Sequence, residues 1–217
     1  MNDLVIFGTG GFAREVHQVV EDINKQAFTW RFRGFLDSEP ARHGQELHGY
    51  PVLGGGEWLA AHPGVAVAVA IGSPAARWRV AESLGSPKWA TLVHPRAWIG
   101  NRVALGEGVI VCAGTLVTTD LTIGRHVILN LDCTVGHDAQ LGDFVTAAPS
   151  VNISGNVRVG PGCDLGTGSN VIQDVAIGGW SIVGAGAVVV RDLPANVTAV
   201  GIPARVISQR QEGWYRA

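Results

Sequence analysis

Leu129-Asn130-Leu131-Asp132-Cys133-Thr134-Val135-Gly136-His137-Asp138-Ala139-Gln140-Leu141-Gly142 is the stretch on which the fold turns. Leu129, Val135 and Leu141 stand six residues apart, and Val127, Cys133 and Ala139 precede them by two. The spacing runs on in both directions. Every sixth residue from Val93 to Val189, seventeen in all, is apolar, and only Ala147 among them is small. From Ala97 to Ala187 the residue two places earlier is small or aliphatic throughout. A helix repeats every 3.6 residues and a strand every 2, so neither keeps a strict period of six. A hexapeptide parallel β-helix does. Six residues form one flat face and one turn, and three sixes close a triangular coil with the aliphatic residues inside. Seventeen repeats make between five and six coils, a prism roughly 25 Å long at roughly 4.8 Å per coil. Glycine follows the aliphatic residue at Gly106, Gly124, Gly142, Gly160 and Gly178, spaced by 18, one full coil. The expectation is a column of left-handed turns along one corner. Cys133 and Cys163 fall on inward positions and are expected in the core.

The repeat occupies 89–205, with 1–88 before it and 206–217 as an extension after it. Leu4-Val5-Ile6-Phe7 is a short apolar run of buried-strand type. Gly8-Thr9-Gly10-Gly11-Phe12-Ala13 follows, then a helix-like stretch from Arg14 to Ile23. Strand, glycine turn and helix in that order form the phosphate-binding arrangement, in which backbone and helix amides approach an anion. A second strand, Arg33 to Leu36, ends in Asp37, 24 residues after Ala13, where a ribose-binding acid belongs. A third, Val65 to Ile71, leads through Gly72-Ser73 into a helix-like Ala75 to Leu84. Three strands make half of a dinucleotide fold, so the expected ligand is nucleotide-bearing and smaller than a dinucleotide.

Composition narrows the function classes. Charged residues are 16% of the chain, below the usual share of roughly 25%, as expected if surface is buried against further copies. Net charge is −2 with no basic run, which argues against nucleic-acid binding. No apolar run approaches the roughly 20 residues of a membrane span, and the N-terminus shows no signal-peptide pattern. The three cysteines have no metal or CxxC spacing and are expected as reduced thiols of a cytoplasmic protein. His137 lies two residues after the inward Val135, so it stands outward on a corner. His94 is read as structural at the start of the repeat, and His126 as exposed.

The aliphatic–glycine hexapeptides, with Asp192-Leu193-Pro194 and Gly201-Ile202-Pro203-Ala204-Arg205 closing them, resemble the left-handed β-helix acyltransferases. With the half-dinucleotide fold in front, the chain to about Arg205 resembles one group of these. That group comprises the sialic-acid O-acetyltransferases and the bacillosamine and perosamine N-acetyltransferases. The resemblance implies an α/β half-Rossmann domain followed by an all-β left-handed parallel β-helix. It also implies a homotrimer holding acetyl-CoA between neighbours, no metal, and a nucleotide-linked sugar as acceptor. N-acetylation of an amino sugar and O-acetylation of sialic acid or a related sugar both remain open. By the same resemblance His137 is the general base and Asp138, where a Glu is common, orients it. Asn130, Thr146, Gly155, Thr167, Ala185, Gly201, Pro203 and Arg205 bind acetyl-CoA, with the Gly155 N–H toward the thioester carbonyl. Gly8, Gly10, Gly11, Phe12, Asp37 and Gly72 bind the acceptor, and Phe12 stands where the group usually carries His. Two other classes fit less well. A zinc hydratase on this solenoid needs three histidines, and no third falls in 99–189 beside His126 and His137. A passive scaffold needs neither Gly136-His137-Asp138 nor the closing segment.

Overall fold

The computed structural model describes residues 2–217. The N-terminal domain begins with β1 (Asn2–Phe7), α1 (Gly11–Gln26) and β2 (Trp30–Leu36). It continues through β3 (Glu46–Leu47), β4 (Tyr50–Gly54), α2 (Gly56–Ala60) and β5 (Ala66–Val69) to α3 (Pro74–Leu84) and β6 (Lys88–Trp89). The sheet order is β3-β4-β2-β1-β5-β6, parallel except for the β3–β4 pair. β1 is apolar without alternation because both sides are covered. Leu4 and Ile6 pack against Ala13, Val16, Val19 and Val20 of α1, whereas Val5 and Phe7 pack with Leu59 of α2. Six strands therefore stand where the sequence indicates three. Tyr50-Pro51-Val52-Leu53-Gly54 has no apolar run because only Val52 and Gly54 of β4 are buried.

From Leu92 onward the chain winds as a triangular parallel β-helix. The first face stacks Leu92–Val93, Ile110–Val111, Ile128–Leu129, Thr146–Ala147, Asp164–Leu165 and Ile182–Val183. The second runs from Trp98–Ile99 to Val188–Val189, and the third from Val103–Leu105 to Ala176–Ile177. Register advances 18 residues per coil, as in Leu116↔Thr134 and Gln140↔Arg158. The inward residues form one buried column that includes Thr115, Cys133, Cys163, Ser169 and Ser181. Burial raises the thiols of Cys112, Cys133 and Cys163 to about 12, 11 and 12, so they are unreactive at neutral pH.

The glycine column serves a different purpose from the one expected. Gly106, Gly124 and Gly142 lie outside the left-handed region, but a Cβ on any of them would sit 2.6 Å from a backbone nitrogen of the next coil. They are glycines for close stacking. The left-handed residue of that corner comes two places later, at Gly108, His126, Phe144, Gly162 and Trp180. Two parallel columns mark the other corners: Gly114, Asp132, Ser150, Gly168, Gly186, and Arg102, Asp120, Asp138, Asn156, Asp174.

The N-terminal domain sits on the first face. Leu92, Ile110, Cys112 and Ile128 share a buried cluster with α1 and β1. At the far end Val197–Val200 adds to the first face and pairs antiparallel with Arg205–Gln209. Leu193 bridges to Ile177 on the third face. The Val188 N–H donates to the Gly201 carbonyl at 3.1 Å and the Ala204 N–H to the Val188 carbonyl at 2.8 Å on the second. Residues 206–217 fold back: Tyr215 stacks on Trp180 with ring centroids 3.5 Å apart, and its carbonyl accepts from Arg79 of α3 at 2.8 Å.

Candidate active site

The glycine turn between β1 and α1 opens a cavity of about 440 Å³. Gly8, Gly10, Gly11, Phe12, Asp37 and Gly72 all line it, so the structure brings every expected acceptor residue to one place. Gly8 has φ +121°, and a Cβ there would lie 2.9 Å from the Ala70 carbonyl oxygen, so the turn admits only glycine. Asp37 is held rather than free. Its carboxylate accepts from the Thr9 hydroxyl and, at 2.9 Å, from the Glu39 N–H. Arg42 donates to the Thr9 hydroxyl oxygen at 2.6 Å and brings its Nε to 3.9 Å from Asp37. Thr9 and Arg42 were not anticipated. Thr9 lies inside the glycine motif, whereas Arg42 is carried in by the turn Pro40–Arg42 and has no sequence signal.

His137 stands on the corner between the second and third faces with its side chain 66% exposed. Its Nδ1 is 2.8 Å from Asp138 Oδ2. An ionised carboxylate only accepts, so this contact places the ring proton on Nδ1 and leaves the Nε2 lone pair free. Asp138, φ 59°, occupies the left-handed position of that corner, which Asp tolerates better than most residues. One coil on lies Gly155, where a Cβ would come within 2.7 Å of both Cε1 and Nε2 of His137.

Asn130, Thr167 and Ala185 follow strands of the first face and so line the other edge of the second face, Thr167 and Ala185 one coil apart and Asn130 two coils below Thr167 and one residue out of its register. Gly201 and Pro203 continue beyond the last coil, and Arg205 begins the closing antiparallel strand. One chain therefore does not bring this row to His137 and Gly155. Asn130 turns its Oδ1 to the Leu131 N–H at 2.7 Å. Thr146 departs from expectation. Its side chain is buried under the N-terminal domain, accepting from Arg77 at 2.9 Å and donating to the Gly72 carbonyl at 2.7 Å. That interface takes its hydroxyl out of reach of a cofactor on the solenoid surface. His126 is likewise not exposed: it is 2% accessible, stacked on Phe144 and edge-on to Trp89. Burial, then the charges of Arg77 and Arg125, push its pKa down to about 4. His94 is buried as a structural group, with Nδ1 accepting from the Arg96 N–H and Nε2 3.1 Å from Asp22. Among the described residues no group of His, Cys, Asp or Glu is arranged to hold a metal.

Comparison with known proteins bears on the fold and the family. The model of the PglD N-terminal domain matches residues 3–84. GDP-perosamine N-acetyltransferase of Escherichia coli O157:H7 is 32% identical over 161 residues, 72% of each chain. PerB of Caulobacter crescentus, solved in complex with CoA and GDP-perosamine, is 35% identical, with TM-score 0.84 over 96% of this chain and 98% of that one. The acetyltransferase domain of PglB from Neisseria gonorrhoeae FA1090, solved with acetyl coenzyme A, is 30% identical, with TM-score 0.86 over 95% and 99%. A half-Rossmann domain seated on a left-handed parallel β-helix, a glycine-lined cavity and a carboxylate-paired corner histidine thus go with full-length similarity, and the chain belongs to the family of acetyl-CoA-dependent sugar acetyltransferases that includes GDP-perosamine N-acetyltransferase.

Proposed function

We propose that this protein transfers the acetyl group of acetyl-CoA to the amino group of a nucleotide-linked amino sugar, as a homotrimer in the cytoplasm with His137 as general base. PerB, so similar over nearly its whole length, was solved with CoA and GDP-perosamine, and this supports an acceptor of the same kind. In the reaction the amine lone pair attacks the thioester carbonyl carbon. Nε2 of His137 takes a proton from the attacking nitrogen while Asp138 holds the imidazole. The Gly155 N–H faces the developing oxyanion. The C–S bond then breaks, CoA leaves as the thiol after protonation, and an amide remains on the sugar.

The observation that carries the reading is topological. The acceptor cavity belongs to a domain mounted on the first face, whereas His137 stands on the corner opposite that face. Within one chain the prism separates them, so a productive site pairs the cavity of one subunit with the His137 corner of another. The second face is suited to such contact. Its outward row, Trp98, Leu116, Thr134, Asn152, Asn170 and Val188, carries no charge. Thr134, Asn152 and Asn170 are bonded to one another along it. Among the described residues no helix is long and apolar enough to cross a membrane.

The test is CoA-thiol release from acetyl-CoA with GDP-perosamine, UDP-linked 4-amino sugars and free sialic acid as acceptors. Turnover with an amino sugar nucleotide is expected. Turnover with sialic acid alone would replace N-acetylation by O-acetylation, and a stable monomer in sedimentation would overturn the shared site.

A further inference from the structure

Arg77 projects from α3 and is 1% exposed, the largest fully buried side chain among the described residues. Its guanidinium makes six hydrogen bonds to three separate segments. Nε donates to the His126 carbonyl at 2.9 Å. One terminal nitrogen donates to the Ile71 and Gly72 carbonyls at 2.6 and 3.0 Å. The other donates to the Phe144 and Val145 carbonyls at 2.8 and 3.3 Å and to the Thr146 hydroxyl at 2.9 Å. No carboxylate among the described residues lies within ion-pair distance of it. Asp164, one coil beyond Thr146, acts on it only through space. Burial pushes the pKa of Arg77 down to about 9, which leaves it charged at neutral pH. A lone buried cation is a costly way to join two domains, since an apolar side chain would pack there without desolvating a charge. What an apolar side chain could not do is hold five carbonyls in fixed directions.

Two of those carbonyls belong to the wall of the acceptor cavity, which Ile71 and Gly72 line. The Gly72 carbonyl is held twice, by Arg77 and by the Thr146 hydroxyl at 2.7 Å. In a trans peptide the N–H points opposite to the C=O. Turning the carbonyls of Ile71 and Gly72 into the domain interface therefore turns the amides of Gly72 and Ser73 the other way. Neither amide donates to a protein group among the described residues. Carbonyls left facing the cavity would present partial negative charge to an anionic nucleotide, whereas free amides present donors.

We propose that Arg77 is a positioning residue for the acceptor, holding the Ile71–Gly72 wall of the cavity in its donor-outward orientation and fixing it to the solenoid, with Thr146 as its second point of attachment. The proposal rests on the cavity being the acceptor site. It differs from a purely structural role, which would lower stability or act on both substrates alike.

The experiment compares wild type, Arg77→Lys and Thr146→Val. CoA release is measured with GDP-perosamine varied at saturating acetyl-CoA and the reverse, alongside amide hydrogen exchange of the peptides covering 70–78. Arg77→Lys is expected to raise the acceptor KM about tenfold and Thr146→Val about three- to fivefold, with the acetyl-CoA KM and kcat within about twofold. Exchange should quicken at 70–73 and not across the solenoid. Should Arg77→Lys fail to fold, Thr146→Val carries the test. A rise in the acetyl-CoA KM, a fall in kcat with both KM values unchanged, or no kinetic change in either folded variant overturns the proposal. If wild type turns over no amino sugar nucleotide, the proposed function falls, and exchange decides this point by itself. Unchanged exchange at 70–73 in the variants then overturns it, and faster exchange confined there supports it.

Discussion

The imidazole of His137 fills the space that a side chain at Gly155 would need, although the two residues are 18 apart in sequence: a Cβ on Gly155 would come within 2.7 Å of its Cε1 and Nε2. Gly155→Ala should push the ring off its place while leaving the coil wound, since neighbouring corners carry side chains. We expect kcat to fall by about ten- to a hundredfold, the scale on which small misplacement of a catalytic group acts, with the acceptor KM little altered. Steady-state kinetics and a crystal structure of the variant check this, and full activity would mean that the ring position seen here is not the working one.

Removing the proposed base should cost more. His137→Ala is expected to lower kcat by at least about two orders of magnitude, the lower end of what a positioned base supplies. CoA binding should persist. Asp138→Asn keeps a partner for the ring but loses the charge that orders it, so its loss should be smaller. A less than about fivefold effect of His137→Ala on a folded sample would pass proton removal to another group.

Asp37 is tied to Thr9 and Glu39 at the mouth of the glycine turn. Asp37→Ala should raise the acceptor KM and leave that for acetyl-CoA nearly unchanged. An increase in the donor KM instead would overturn the proposed division of labour between the two domains.

Mixing variants tests the proposed shared site directly. At low acceptor concentration, the Asp37→Ala and His137→Ala proteins are each expected to be nearly inactive. Refolded or co-expressed together, and assembled as the proposed homotrimer, they should regain about a quarter of wild-type activity, the chance that one interface pairs an intact cavity with an intact base. No recovery would place both residues of a site in one chain.

His126 should make stability fall toward acid pH. Its folded pKa is depressed to about 4 from 6.5, so the unfolded chain takes up the proton first. Protons then favour unfolding in the window from about 6.5 down to about 4, and the contribution present at neutral pH is lost as pH falls through it. Between pH 7 and pH 5 the loss is roughly 2 kcal/mol from this group. His126→Asn, which keeps a residue tolerant of the left-handed φ, should be less stable at pH 7 yet show a flatter decline. Urea denaturation of both proteins at the two pH values measures the difference.

The solenoid was legible because its core obeys a rule of position: one inward residue in six, from Val93 to Val189, with no exception. The corners were harder. Five glycines at one-coil spacing pointed to left-handed turns, yet the turns come two places later, and three of the five fall on His126, Phe144 and Trp180, whose side chains announce nothing of the kind. Stacking distance and φ both select glycine, and spacing does not separate the two causes. His126 and Thr146 were placed outside because the repeat shows which way a residue faces but not what another domain lays over it. Arg77 and the Tyr215–Trp180 stack depend on contacts across 49 to 69 residues or on the last turn of the chain, beyond any local pattern. His137 could be singled out because motif and corner position coincide in three consecutive residues.

A parallel β-helix is a lattice that could in principle extend without limit, because its last coil presents the same unpaired edge on which each earlier coil was built. Here that growth is stopped on all three sides by one stretch of chain: Leu193 on the third face, Gly201 and Ala204 on the second, and the antiparallel Arg205–Gln209 on the first. The segment acts as a polymerisation stop. A chain cut before Leu193 would expose three bare edges at once, and sedimentation of such a chain is expected to show end-to-end association.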